Sequence, residues 1–268
     1  MRVVKHIIEY EKPGDTFLLI PFGDLHVGHR NCDKDKLIEI RDFILHQDAL
    51  WIGMGDYANA IFPHPNEKRL DLDVIDPELY TPEKQYQFIY ELFEPIKHNC
   101  LGLLTGNHDD LLRRRHYHNW VDELAYKLGV PYLDFAAFVK LVFKRGRHTV
   151  TIDIFATHGY YSGRRIGGKI NRVEDLARYF DADIYLVGHV HEVAGFRNIQ
   201  LRVTRSCKIV ERKRIFAITG TFLRGWKITK TASYAERRLL PPNKIGIISI
   251  WICPEPGRNK QPDMHIME

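Results

Sequence analysis

Short apolar runs recur along this chain, each ending abruptly in polar residues, and the stretches between them carry helical periodicity. Phe17 to Phe22, Leu50 to Gly53, Leu101 to Thr105, Val150 to Ala156 and Ile184 to Val187 are rich in Leu, Ile, Val and Phe, which predicts buried strands. Between the first two, Leu37, Ile40 and Ile44 keep helical spacing within Asp33 to Gln47, and Asn31 or Asp33 can cap that helix. Thr81-Pro82-Glu83 opens a second helix with proline at its first position; Tyr86, Ile89 and Phe93 form its apolar face, and it stops before Pro95. Trp120 to Leu128, with Gly129 as a stop, and Arg172 to Phe180, through Val173, Leu176 and Phe180, are two more helices. Past His191 the pattern changes to short strands at Gln200 to Val203, Arg214 to Ile218 and Gly246 to Cys253.

Helices early and strands in succession later predict an α/β fold with two mixed β-sheets packed together and helices outside: a four-layer αββα sandwich. Residues 1–268 read as one domain, with an irregular excursion around Pro63, Pro65 and Pro77 and a loose tail over 255–268. Cys32, Cys100, Cys207 and Cys253 lie far apart without a Cys-x-x-Cys pair, so they read as buried free thiols rather than a zinc knuckle or disulfide framework. Arg2, Lys5, His6 and Glu9 interrupt the start, and nowhere do 18 apolar residues run together. No signal peptide or membrane span is visible, and the default location is the cytoplasm. The formal net charge is +5, with basic residues bunched between Arg113 and Arg238 while Asp71 to Glu83 is acidic. That asymmetry suits a polyanionic substrate.

The chemistry lies where the apolar runs stop. They end in Asp24-x-His26, Asp56, Asn107-His108, His158 and Gly188-His189-Val190-His191. In open α/β sheets ligands bind in the crevice outside the carboxyl ends of the strands, so these endings can converge there. Asp24 and His26, two residues apart, point to one face and can grip one ion together. Asp56 follows Gly53-Met54-Gly55, where a tight backbone turn can bring the short carboxylate between two cations. Two ions about 3.5–4 Å apart orient a phosphoryl oxygen and acidify a bound water until hydroxide, the expected nucleophile, exists near neutral pH. Imidazole, carboxylate and amide without thiolate suit two divalent ions of manganese, iron, zinc, cobalt or nickel; ligand type leaves the choice open, and manganese is the favoured expectation. Alone, each block is weak, since a strand-end Asp is more often a turn former.

Together the blocks Gly23-Asp24-Leu25-His26, Gly55-Asp56, Gly106-Asn107-His108-Asp109, His158-Gly159 and Gly188-His189-Val190-His191 resemble the calcineurin-like metallophosphoesterase superfamily, in content and in order. The resemblance spans Thr16 to His191; Gly220-Thr221-Phe222 and Ser233-Tyr234-Ala235-Glu236 look like later segments of some bacterial and phage members. It implies that Asp24, His26, Asp56 and His191 hold one metal, and that Asp56, Asn107, His158 and His189 hold the other. His108 matches the histidine that faces the leaving group, as general acid or charge stabiliser, a role its unperturbed pKa suits. Tyr57-Ala58-Asn59-Ala60 and Thr105 stand where phosphoprotein phosphatases carry Asp and Arg, and Asn59 stands where purple acid phosphatases carry a tyrosine ligand. Both branches are disfavoured.

The expectation is therefore a metal-dependent phosphoesterase acting on a phosphodiester, with a nucleotide or nucleic acid as candidate substrate; a phosphomonoesterase is the alternative, and a non-catalytic metal-binding scaffold a third. Arg113 and Arg114, and Arg164 and Arg165 with Lys169 and Arg172, are expected near the rim, where guanidinium groups can hold phosphate oxygens; a solvated helix face is the other reading. Arg202, Arg205, Lys208, Arg212, Lys213 and Arg214 read as charged strand edges. Tyr117, Tyr160 and Tyr161 near the mouth can stack bases, whereas Trp120 reads as core. The oligomeric state is left open.

Overall fold

The computed structural model describes residues 1–60, 74–159, 161, 163, 165–226, 233–256 and 262–267. The excursion at Pro63 and Pro65, together with Tyr160 and Arg164, lies outside these described residues. The chain opens with β1 (Arg2–Glu9), β2 (Phe17–Phe22), α1 (Lys34–His46), β3 (Leu50–Gly53), α2 (Pro82–Phe93), β4 (Cys100–Leu104) and α3 (Asn107–His116). It continues through α4 (Trp120–Leu128), β5 (Tyr132–Asp134), β6 (Ala136–Arg145), β7 (His148–Thr157), α5 (Ile166–Asp175) and β8 (Ile184–Val187). The last part holds β9 (Val193–Val203), β10 (Ile209–Thr221), α6 (Tyr234–Arg237), β11 (Gly246–Ile247), β12 (Ser249–Cys253) and β13 (Asp263–Met267).

Two mixed sheets result. One runs β13-β12-β2-β3-β4-β5, parallel from β2 to β5 and antiparallel through β12 and β13. The other runs β1-β6-β7-β8-β10-β11, with β9 also paired to β10. Period-two alternation sorts the side chains between layers. In β2, Leu18, Ile20 and Phe22 join Leu37, Ile44, Ile89 and Phe93 beneath the helices, whereas Leu19 faces the inter-sheet core with Ile52, Leu141, Ile154, Leu186 and Ala217. A third cluster, Phe155, Val173, Tyr185 and Phe216, lies under α5 on the far face. Burial of each such side chain contributes about 1.5–3 kcal/mol. Helices, sheet, sheet and helix thus form the four layers expected.

Local chemistry fixes the helix starts. Asp33 accepts from Lys36 N to cap α1, and Thr81 accepts from Lys84 N to cap α2, with Pro82 at its first position. Gly129, with φ 70, ends α4 in the left-handed region.

Three expectations need correction. Asp263–Met267 is not loose: it pairs with β12 over five residues and buries Met264 in the inter-sheet core. The helix read over Arg172 to Phe180 starts earlier, at Ile166, and tightens into a 3-10 turn at Leu176–Arg178, which still lets Leu176 and Phe180 pack. Cys207 is exposed rather than buried, on the turn between β9 and β10. In that hairpin Arg212 and Arg214 pair with Asp181, and Lys213 with Asp263. No helix among the described residues is long and apolar enough to cross a membrane.

Candidate metal centre

The polar endings of β2, β3, β4, β7 and β8 converge at one edge of the sandwich. Beyond β2 and β3 the chain keeps pairing in parallel, His26 N donating to Asp56 O at 3.0 Å and Val27 N to Tyr57 O at 2.9 Å, so Asp24, His26 and Asp56 stay in register after the strands end. Gly106 ends the loop after β4 and caps α3, which places Asn107 and His108 in the first turn of that helix. There Asp56 Oδ1 accepts from His108 N at 2.8 Å, putting the carboxylate at the positive end of the helix dipole.

Asp24, His26, Asp56, His189 and His191 all have φ between 51 and 64. L residues avoid this region at a cost of roughly 1–2 kcal/mol each, Asp and His somewhat less. Five together forgo on the order of 5 kcal/mol, comparable with the net stability of a small domain. Such strain persists only where surroundings over-determine it, and it concentrates at functional sites. Here the hydrogen bonds are specific. His189 N donates to both oxygens of Asp24, at 3.1 and 2.9 Å, while the Asp24 carbonyl accepts from Thr221 Oγ1 and Phe222 N.

The side chains form two sets joined by Asp56. In one, Asp24, His26 and His191 bring ligand atoms within 4.8 Å of one another; in the other, Asp56, His158 and His189 do so. His26 Nε2 lies 3.0 Å from His191 Nε2 and 3.9 Å from Asp56 Oδ2, and His191 Nε2 is 3.3 Å from Asp24 Oδ1. Across Asp56, His158 Nε2 is 3.3 Å from Asp56 Oδ2 and 3.1 Å from Asn107 Oδ1. His108 also brings a ring nitrogen within 4.8 Å of the ligand atoms of His26 and Asp56, its ring edge-on to His26. Its Nδ1 faces the Asn59 carbonyl at 2.8 Å, which fixes the tautomer and leaves Nε2 for chemistry.

Burial, and then the charges of His108 and His191, hold His26 well below the ordinary histidine range, so its lone pair is available at neutral pH. Burial also lowers His189. His158 behaves oppositely: burial works to lower it, but the Asp56 charge and hydrogen bond outweigh burial and raise it. Both its ring nitrogens face acceptors, Nδ1 the Met54 carbonyl at 2.8 Å and Nε2 the oxygens of Asp56 and Asn107. Asp56 in turn is held well below the carboxylate range; burial opposes this, but facing His158 and His108 prevail. The donor set of imidazoles, carboxylates and one amide oxygen fits a hard-to-borderline divalent ion such as manganese, iron or zinc.

All seven residues expected from the sequence to be ligands, Asp24, His26, Asp56, Asn107, His158, His189 and His191, therefore meet, and His108 stands beside them. The basic residues expected at the rim divide. Arg113 Nε and Arg114 Nε both pair with the buried Asp110, at 2.5 and 2.8 Å, and both side chains are exposed. Arg165 is exposed at the start of α5, and Arg172 lies over the Tyr161 ring. Lys169, by contrast, turns inward and is buried. Tyr117 is exposed, and Trp120 is core, stacked on Tyr86. One residue left without a role in the sequence acquires one: Asp109, buried, accepts from Gly106 N at 3.0 Å and from Tyr57 N and Ala58 N at 3.4 Å, tying the Asp56 loop to the start of α3. Its place three residues after a helix cap was the available signal.

No family model matches this chain, and no curated protein does. Among solved structures it is similar to a predicted phosphoesterase from Streptococcus pneumoniae TIGR4, at 13% identity over 94% of this chain and 99% of that one, with TM-score 0.38. It is also similar to Vps29 from Chaetomium thermophilum, at 10% identity over 94% of each chain with TM-score 0.36. A metallophosphoesterase from Sphaerobacter thermophilus matches at 13% identity over 95% of this chain and 89% of that one, with TM-score 0.35. The observed architecture is the one the calcineurin-like resemblance implies. At such low identities the chemistry has to be read from the site itself.

Proposed function

We propose that the chain is a phosphoesterase that uses two divalent ions, manganese favoured, to hydrolyse a phosphodiester. The observation that carries this reading is the pair of adjoining ligand sets, with the buried Asp56 carboxylate in one and 3.9 Å from His26 of the other, and His108 alongside. Bound divalent ions would neutralise phosphoryl oxygens and lower the pKa of a water for in-line attack. Asp24, His26, Asp56 and His191 would hold one ion and Asp56, Asn107, His158 and His189 the other. His108, its Nδ1–H held by the Asn59 carbonyl, would in its doubly protonated form present Nε2–H to the leaving-group oxygen and donate that proton as the ester bond breaks. Arg113, Arg114 and Arg165 would hold non-reacting phosphate oxygens, as exposed guanidinium groups at the start and flank of helices do. A nucleotide or nucleic acid fits that basic rim, and a phosphomonoester is the runner-up.

The test compares bis(4-nitrophenyl) phosphate with 4-nitrophenyl phosphate, with Mn²⁺ and after chelation. Chelator-sensitive turnover of the diester, falling about 10²-fold or more in His108→Asn while bound Mn²⁺ is retained, is the expected result. Turnover of the monoester alone would move the assignment to the runner-up. Retained metal with no turnover of either, and no effect of His108→Asn, would leave a scaffold.

A further inference from the structure

Lys169 lies in the first half of α5, four residues before Val173, and the two share the buried face of the helix. Its side chain is 9% exposed. Withdrawing an ammonium from water is unfavourable unless its protons find acceptors, and an apolar side chain of similar size generally fills such a place at less cost. The acceptors here are two: the Val190 carbonyl at 3.3 Å and Glu192 Oε1 at 2.9 Å. Both belong to the loop that carries His189 and His191.

The Val190 carbonyl is part of the peptide unit that joins Val190 to His191, so its direction and the φ of His191 are linked. That φ is 56, and that of His189 is 64. A non-glycine residue leaves this region unless held. On the His189 side the hold is visible, with His189 N on the Asp24 carboxylate and Gly188 N on the Thr157 carbonyl at 3.2 Å. On the His191 side, Lys169 grips the carbonyl immediately before His191 and the carboxylate immediately after it. Released from that grip, His191 relaxes toward the right-handed or extended region and its ring swings from Asp24.

We infer that Lys169 is the positioning residue that keeps His191 in its ligating orientation, acting through the Val190 carbonyl and Glu192. This rests on the metal-site reading above and extends it to α5, whose start also bears Arg165. Through Lys169, α5 sets the affinity of the ion held by Asp24, His26 and His191 without touching it.

Calorimetric titration of the full chain with Mn²⁺ alone tests this, with urea unfolding in chelator as a separate measure of folding. Lys169→Met is expected to weaken one of two Mn²⁺ sites by about 10–100-fold, the usual scale for partners that orient a ligand. Lys169→Arg, which keeps the charge and the donors, should stay within roughly threefold of the wild type. Lys169→Gln keeps one donor and supplies a second reading should the methionine variant fail to accumulate; it should fall between them. Wild-type Mn²⁺ affinity in folded Lys169→Met or Lys169→Gln, with only the unfolding midpoint lowered, would show a purely structural role and overturn the assignment. Equal weakening of both sites would do the same, since His191 belongs to one set. A wild-type chain that takes up no Mn²⁺ sinks the metal reading itself, an outcome distinct from both.

Discussion

Gly106→Ala separates contact from backbone strain at the centre of the site. Gly106 has φ −92 and ψ 175, a conformation alanine adopts freely, so the added methyl costs nothing in the backbone. The cost lies in what it meets: its Cβ would stand 2.1 Å from Asp56 Oδ1 and 2.2 Å from Asp56 N. Real Cβ atoms essentially never approach below 3.0 Å, so the site must open by roughly 1 Å. Rotating the carboxylate relieves only the first clash, because the second is with main chain. The loop after β3 or the start of α3 has to move, at about 1–3 kcal/mol for an overpacked site. A displacement near 1 Å costs roughly 10²-fold in a positioned reaction. On the proposed assignment Asp56 serves both ions, so both Mn²⁺ sites should weaken in calorimetry, and diester turnover should fall about 10²-fold, while the chain still folds. Gly146→Ala is the control: with φ 56 and nothing within 4 Å of the added Cβ, it strains backbone far from the site and should lower stability alone. Wild-type Mn²⁺ affinity and turnover within threefold in Gly106→Ala would refute the idea that the close approach of these two loops sets the position of Asp56.

Asp109→Asn keeps the shape of a buried residue but turns one acceptor against backbone N–H groups; it should cost about 1–3 kcal/mol in urea unfolding, and an unchanged midpoint would contradict its role in tying the two loops. On the proposed assignment the His158–Asp56 pair should make Mn²⁺ binding pH-dependent. A raised histidine adds stability that is complete below about pH 6.5 and is lost as pH rises through its raised value, while depressed Asp56 adds stability present above about pH 4 and lost as pH falls. An ion that takes His158 Nε2 must displace its proton, so Mn²⁺ affinity should rise up to about tenfold per pH unit across neutrality, with close to one proton released in buffers of differing ionisation enthalpy; flat affinity would contradict the pair. Replacing Arg113 and Arg114 together by alanine should raise KM for a substrate with more than one phosphate about tenfold or more and leave the Mn²⁺ titration unchanged; equal loss on mono- and polyphosphate substrates would show they touch no distal phosphate.

The elements legible in the sequence are those whose burial repeats. Phe17 to Phe22, Leu50 to Gly53, Ile184 to Val187 and Trp120 to Leu128 match the structure to the residue, because continuous apolar runs and a capped amphipathic stretch report burial directly. The residues that converge at the site were legible for the same reason, each marking the point where a buried run must stop. What the runs could not report was conformation at those points. Left-handed φ at Asp24, His26, Asp56, His189 and His191 is a tertiary outcome, maintained by bonds between loops more than 100 residues apart, such as His189 N to Asp24. β13 escaped notice because Met264 and Ile266 make a two-point alternation beside prolines and a glycine, and its stability comes from β12 rather than from itself. Lys169 shows the limit most clearly. Charge type placed it on the rim with its arginine neighbours, yet its spacing from Val173 already put it on the buried face. Periodicity was the better guide than charge, because a helix face is decided by many side chains packed together, whereas one ammonium follows its face inward wherever carbonyl and carboxylate acceptors await it.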